Sequence, residues 1–116
     1  MGRKLAALRD ERVLILGSGN LVHNLHTYAW GRQRAEPYDW AVRFEQQAKA
    51  WMLSGDTEPL VRPETLGRDA ALSVPTAEHY LPLLYVLGTR QRDEAITFPV
   101  EGIGGGSVST LAVRVG

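Results

Sequence analysis

Four apolar residues stand in unbroken succession at Val13-Leu14-Ile15-Leu16, directly after the charged stretch Arg9-Asp10-Glu11-Arg12. A run this short and uniform has no polar face to turn to water. It reads as a strand over Arg12–Leu16 buried on both faces, which a sheet covered by helices on each side provides. Gly17-Ser18-Gly19-Asn20 closes the run. The simplest reading of those glycines is a turn at the strand end, where positive φ excludes other residues.

Helical spacing appears on either side of that run. Leu5 and Leu8 sit three apart within Arg3–Arg9, which predicts a short N-terminal helix. Pro37 suits the first position of a second helix, where its missing N–H is unpaired anyway, and Asp39 suits the positive end of the helix dipole. Trp40, Phe44, Ala48 and Trp51 then recur at steps of four, four and three, giving one apolar stripe that Ser54-Gly55 stops. Asp56–Ala71 is polar and punctuated by Pro and Gly, so short helical or irregular structure is expected there. A further helix is predicted over roughly Glu78–Leu87, with Tyr80, Leu83, Leu84 and Leu87 on one face and Gly88 as its C-terminal cap. Pro82 requires that helix to begin only a few residues earlier. Ile96, Phe98 and Val100 alternate with Thr97 and Pro99, and Leu111, Val113 and Val115 alternate with Thr110, Ala112 and Arg114. Both patterns predict strands, joined across the glycine-rich turn Gly102–Gly106, with Pro99 pushing the first toward an edge. The expected fold is α/β: a short, largely parallel sheet flanked by helices, in one domain over residues 1–116.

Composition excludes several functions. The 13 Lys and Arg balance the 13 Asp and Glu, so no electrostatic argument favours nucleic acid or an anionic membrane as partner. No apolar stretch approaches the length of a membrane span, and Met1–Asp10 is charged, unlike a secretory leader. A cytoplasmic location is the default expectation. Cysteine is absent, which removes disulfides, thiolate catalysis and Cys-based zinc sites from this chain. A metal here would be held by His, Asp or Glu.

The chemistry-bearing candidates are therefore histidines. His23 follows the Gly-Ser-Gly turn, and His79 lies just before or within the first turn of its helix. Imidazole carries protons near neutral pH and, when neutral, offers a lone pair to a metal. His26, three residues past His23, reads as an ordinary surface histidine. Gly17-x-Gly19 lacks the third glycine and the immediate helix of a dinucleotide fingerprint, and Gly104-Gly105-Gly106-Ser107 lacks the Lys-Ser/Thr of a phosphate loop. Both read as turns.

Four stretches in register carry a resemblance to a known family. They are Val13-Leu14-Ile15-Leu16-Gly17-Ser18-Gly19-Asn20 with His23-Asn24-Leu25, Tyr38-Asp39-Trp40-Ala41 with Phe44, Pro75-Thr76-Ala77-Glu78-His79-Tyr80-Leu81-Pro82-Leu83, and Ile96-Thr97-Phe98-Pro99-Val100-Glu101-Gly102. Leu5-Ala6-Ala7-Leu8-Arg9 adds to them. Together they resemble the class III extradiol ring-cleavage dioxygenases, in the 4,5-DOPA extradiol dioxygenase-like branch.

The resemblance implies a metal-dependent enzyme that opens catechol-type rings with O₂. It implies that His23 is the catalytic acid/base and His79 a ligand of a divalent metal, Fe(II) first and Zn(II) second. Asn24, Glu78 and Tyr80 are supporting candidates by adjacency alone. Family members are about twice this length, and two further histidine ligands come from their N-terminal half. The resemblance therefore implies that this chain corresponds to the C-terminal half and is inactive alone. Two alternatives follow: a subunit of a split dioxygenase completed by a partner chain, or a non-catalytic interaction domain. Half a fold also leaves core surface uncovered, which predicts self-association.

Overall fold

A computed structural model describes residues 1–32 and 35–116. Five helices can be followed in chain order: α1 (Gly2–Asp10), α2 (Asp39–Ser54), α3 (Glu58–Val61), α4 (Arg68–Ser73) and α5 (Leu81–Gly88). A single 3₁₀ turn, Pro63–Thr65, separates α3 from α4, so the polar stretch folds as the short helices its punctuation predicted. None of the described helices is long and apolar enough to cross a membrane.

The central helix α2 opens two residues later than Pro37. The Tyr38 amide donates to the Gly106 carbonyl at 3.0 Å and its hydroxyl to the Thr27 carbonyl at 2.8 Å, so a neighbouring loop holds Tyr38 outside the helix. The buried face is Ala41, Phe44, Glu45, Ala48 and Met52, while Trp40 and Trp51 flank it half-buried. The small alanines let neighbours approach, and the indoles close the sides of the stripe. Gly55 ends the helix at φ 81°, its amide reaching the Met52 carbonyl at 3.3 Å.

Helix α5 begins at Leu81, which puts Pro82 in the first turn, where its missing donor is harmless. His79 thus precedes the helix. Gly88 is not the cap that was expected: it is the last helical residue, and Thr89 follows with φ −84°. The Thr89 amide and hydroxyl both return to the Val86 carbonyl, at 3.0 and 2.7 Å, and close that end. Gly88 serves packing instead. A Cβ there would lie 2.8 Å from the Gly2 Cα, so the two glycines let α1 rest directly on α5.

The expected largely parallel sheet is replaced by two antiparallel pairs. Strand β1 (Ile96–Val100) pairs with β4 (Ala112–Val115), and the short β2 (Ile103–Gly104) pairs with β3 (Val108–Ser109). The tight connection through Gly105 and Gly106, at φ 56° and 82°, can only reverse the chain. Parallel pairing needs a crossover of a dozen residues or more. The β1–β4 register breaks between Thr97 and Val100, where Pro99 has no amide to donate.

A second correction concerns Val13–Leu16. It forms no strand, and it is not buried on both faces: Leu14 is 78% exposed and Leu16 84%. Among the described residues no strand lies against it to pair with. Ile15 is half-buried, and only the glycines that follow, Gly17 and Gly19, press against the backbone at Pro82 and His79.

The core gathers Leu21, Val22, Phe44, Met52, Leu60 and Tyr80 between α2, the short helices and the loop leading to His23. Glu45 is the charged residue buried within it, and the Ser109 hydroxyl donates to its carboxylate, tying α2 to β3.

Candidate functional site

The loop Asn20–Asn24 is held on three sides. The Asn20 amide donates to the His79 carbonyl at 2.7 Å, and the Asn20 side-chain amide to the Ser109 carbonyl at 2.7 Å. The Ser109 amide donates to the Val22 carbonyl at 2.8 Å, and the Asn24 amide to the Ser107 carbonyl at 3.0 Å. His23 therefore forms an antiparallel bridge with Val108 and acts as a third rung beside β3. Its own amide is taken by the Ser73 carbonyl, at 2.8 Å, from the end of α4.

Glycines set how closely this loop approaches His79. A Cβ on Gly17 would lie 2.8 Å from the Pro82 carbonyl oxygen, and one on Gly19 would overlap the carbonyl oxygen of His79. Neither glycine has positive φ. The turn explanation offered by the sequence is therefore replaced by close backbone approach: α5 and the loop meet where no side chain fits.

Those constraints bring the His23 and His79 rings face to face, with centroids 3.8 Å apart and planes inclined by 19°. The lone pairs and N–H bonds of imidazole lie in the ring plane, so stacked rings do not hydrogen-bond each other. Among the described residues, no protein group hydrogen-bonds a ring nitrogen of either histidine. A histidine that merely completes a core has its buried N–H satisfied. These two, half-buried, keep their nitrogens available.

The supporting candidates separate by geometry. Asn24 is buried: its side-chain amide donates to the Leu72 carbonyl at 2.8 Å, and its Oδ1 accepts the His26 and Thr27 amides at 3.1 and 3.2 Å. It clamps the chain leaving His23 onto α4. Glu78 is exposed and accepts the Thr76 hydroxyl at 2.7 Å. That bond, then the Glu78 backbone amide, hold its carboxyl below the usual carboxylate range, and the neighbouring His79 and His23 act in the same direction. Tyr80 is buried and donates its hydroxyl to the Leu60 carbonyl at 2.6 Å, which engages it with α3. Burial pushes its phenol well above its ordinary range. His26 is exposed and lies outside the stack.

Three residues that position the site escaped sequence reading. Asn20, Ser107 and Ser73 hold the His23 loop through bonds to distant backbone. Their partners are 48 or more residues away, so no local pattern announces them. Ser73 also buries a hydroxyl with no hydrogen-bond partner among the described residues.

Beside His79 lies a cavity of about 240 Å³, lined by Leu16, Gly17, Asn20, Leu83, Leu111 and Val113 among others. A larger concavity, about 860 Å³, lies elsewhere, between α2 and α4, and touches neither histidine. The described residues contain no group of three or more His, Asp or Glu side chains placed to hold a metal. The described residues alone therefore do not supply the three donors of a mononuclear metal centre.

The chain is 51% identical over 120 residues to a 4,5-DOPA dioxygenase extradiol of Escherichia coli (strain K12), an alignment covering 100% of this chain and 43% of that protein. The chain is a homologue of the 4,5-DOPA extradiol dioxygenases. Proteins of the same name from Beta vulgaris and Portulaca grandiflora are 32% and 34% identical, over 76% of this chain and 32% of their own length. No family model matches the chain. A crystal structure of an uncharacterized protein from Escherichia coli K12 superposes with a TM-score of 0.89 at 49% identity, covering 99% of this chain and 48% of that one. The chain thus spans less than half the length of these dioxygenase relatives, as expected of a C-terminal half.

Proposed function

We propose that this chain is the part of an extradiol ring-cleavage dioxygenase that carries the proton-handling histidine and one metal donor. In this reading His23 accepts and returns the protons of a catechol's hydroxyls. His79 offers one imidazole nitrogen to a divalent metal, iron or zinc, whose remaining protein donors come from outside the chain. The substrate is a small aromatic diol, opened with O₂ next to its hydroxyl groups. Asn24 holds His23 in place, and Glu78 supplies a carboxylate whose charge is felt by both imidazoles. The chain alone is inactive, and its complement is either the rest of a longer polypeptide or a separate chain.

The observation that carries this reading is the His23–His79 stack with uncommitted ring nitrogens. The names of the relatives direct it toward ring cleavage. The test joins this chain to the unmatched portion of the Escherichia coli relative and follows catechol-dependent oxygen uptake and bound metal. Uptake is expected from the pair and from neither part alone. His79→Ala should lower metal content, whereas His23→Ala should leave metal bound and abolish uptake. If both variants retain metal and uptake, the reading fails.

A further inference from the structure

The segment Val13–Gly19 has strand character without a sheet. Leu14 and Leu16 are exposed at 78% and 84% while Ile15 between them is half-buried, the period of two of a β-strand. Gly17 and Gly19 continue the inner side, pressed against backbone at Pro82 and His79. Among the described residues, no backbone amide or carbonyl from Leu14 to Gly19 makes a hydrogen bond. One face is therefore covered by α5, the other is bare and apolar, and both backbone edges are open. The cavity beside His79 separates this segment from the start of β4, where Leu111, Ala112 and Val113 line it.

An open apolar strand is a template for pairing. A second copy of this chain could pair one edge and would leave the other exposed. Filling both edges and the outer face takes a sheet with its own covering layer. The matched dioxygenase relative extends well beyond the 43% of its length that this chain covers, which is enough chain for such a layer. We infer that Val13–Gly19 is the docking strand for the portion of the enzyme outside this chain, which adds strands on its open edges and covers Leu14 and Leu16. This rests on the reading of the chain as part of a larger dioxygenase, and it names the surface through which the two parts meet. Because the same segment leads through Gly19 into the His23 loop, docking would also stiffen the site.

The experiment co-expresses this chain with the unmatched portion of the Escherichia coli relative and measures amide hydrogen exchange. A 1:1 complex is expected in which exchange at Leu14–Leu16 slows by about tenfold or more relative to the chain alone. Leu14→Asp with Leu16→Asp alters only exposed side chains, so its circular dichroism and melting should match the parent while the complex is lost. Absence of a complex, or a complex without protection at these amides, overturns the inference. So does protection in the chain alone that rises with its concentration, which would assign the surface to a second copy. Oxygen uptake is read separately: a protected complex without uptake keeps the docking strand and removes the proposed activity.

Discussion

A Cβ placed on Gly19 would collide with the carbonyl oxygen of His79, and that carbonyl already accepts the Asn20 amide at 2.7 Å. Backbone has no rotamer with which to yield. Gly19→Ala should therefore cost about 1–3 kcal/mol in urea denaturation, in the range of overpacked interiors, and should remove the mutual ring-current shifts of His23 and His79 in proton NMR. The buried serines predict opposite outcomes. Ser73 buries a hydroxyl with no partner among the described residues, so Ser73→Ala should be neutral or stabilise by about 1 kcal/mol. The Ser109 hydroxyl donates to buried Glu45 and accepts the Leu111 amide at 3.1 Å, so Ser109→Ala should destabilise by about 1–3 kcal/mol. Denaturant titration of the two variants side by side checks both signs. At this scale the sequence showed where chemistry could sit but not what aims it. His23 and His79 stood out because each lies beside a local break, a glycine turn or a helix start. Ser73, Ser107 and Ser109 look like any other serine until the chain brings α4 and β3 against the His23 loop.

Arg9, near the end of α1, reaches across to the connection between α5 and β1. Its guanidinium donates to both Glu94 oxygens at 2.7 Å and to the Thr89 carbonyl at 2.8 Å, just past α5. The Arg9 bond, then the Gln91 amide, hold the Glu94 carboxyl down at about 2 against an ordinary 4.5. A carboxyl depressed on folding stabilises the folded state while ionised. Its contribution is whole above about pH 4.5 and disappears as the pH falls toward 2. The melting temperature should drop through that interval, and Glu94→Gln should flatten this part of the profile while lowering the midpoint at neutral pH. Calorimetry at a series of pH values reads both. Helices were legible in outline because amphipathic spacing is local: α2, α5 and the short helices of the polar stretch lie where the pattern puts them. Their ends were less so, since Tyr38 and Gly88 answer to neighbours distant in sequence. The strands of β1 and β4 were visible as alternation, but pairing direction is a property of connections, and the Gly105-Gly106 reversal made it antiparallel. Val13–Leu16 misled for a different reason: a uniformly apolar run records the surroundings a strand is built for, and among the described residues nothing covers Leu14 or Leu16.

The whole molecule carries the same imbalance. Its Cα radius of gyration is 14.4 Å and its extents are 45 × 28 × 22 Å, against about 13 Å for a compact domain of this length. Leu14, Leu16, Trp30 and Leu53 are each more than half exposed, so apolar surface that a closed domain would bury remains in water. Stability should accordingly depend on the complement. A partner that binds only the folded chain stabilises it by RT ln(1 + [L]/Kd), about 2.7 kcal/mol when the partner is at a hundred times its dissociation constant. For a domain of this size that corresponds to a rise in melting temperature of roughly 10 °C. Titrating the unmatched portion of the Escherichia coli relative into this chain should raise the midpoint progressively, without a plateau until well past stoichiometry. The Leu14→Asp, Leu16→Asp variant should melt where the parent does when alone and should fail to respond to the titration. A midpoint indifferent to the complement would mean that this chain holds its fold without further cover, and that the exposed leucines are tolerated as they stand.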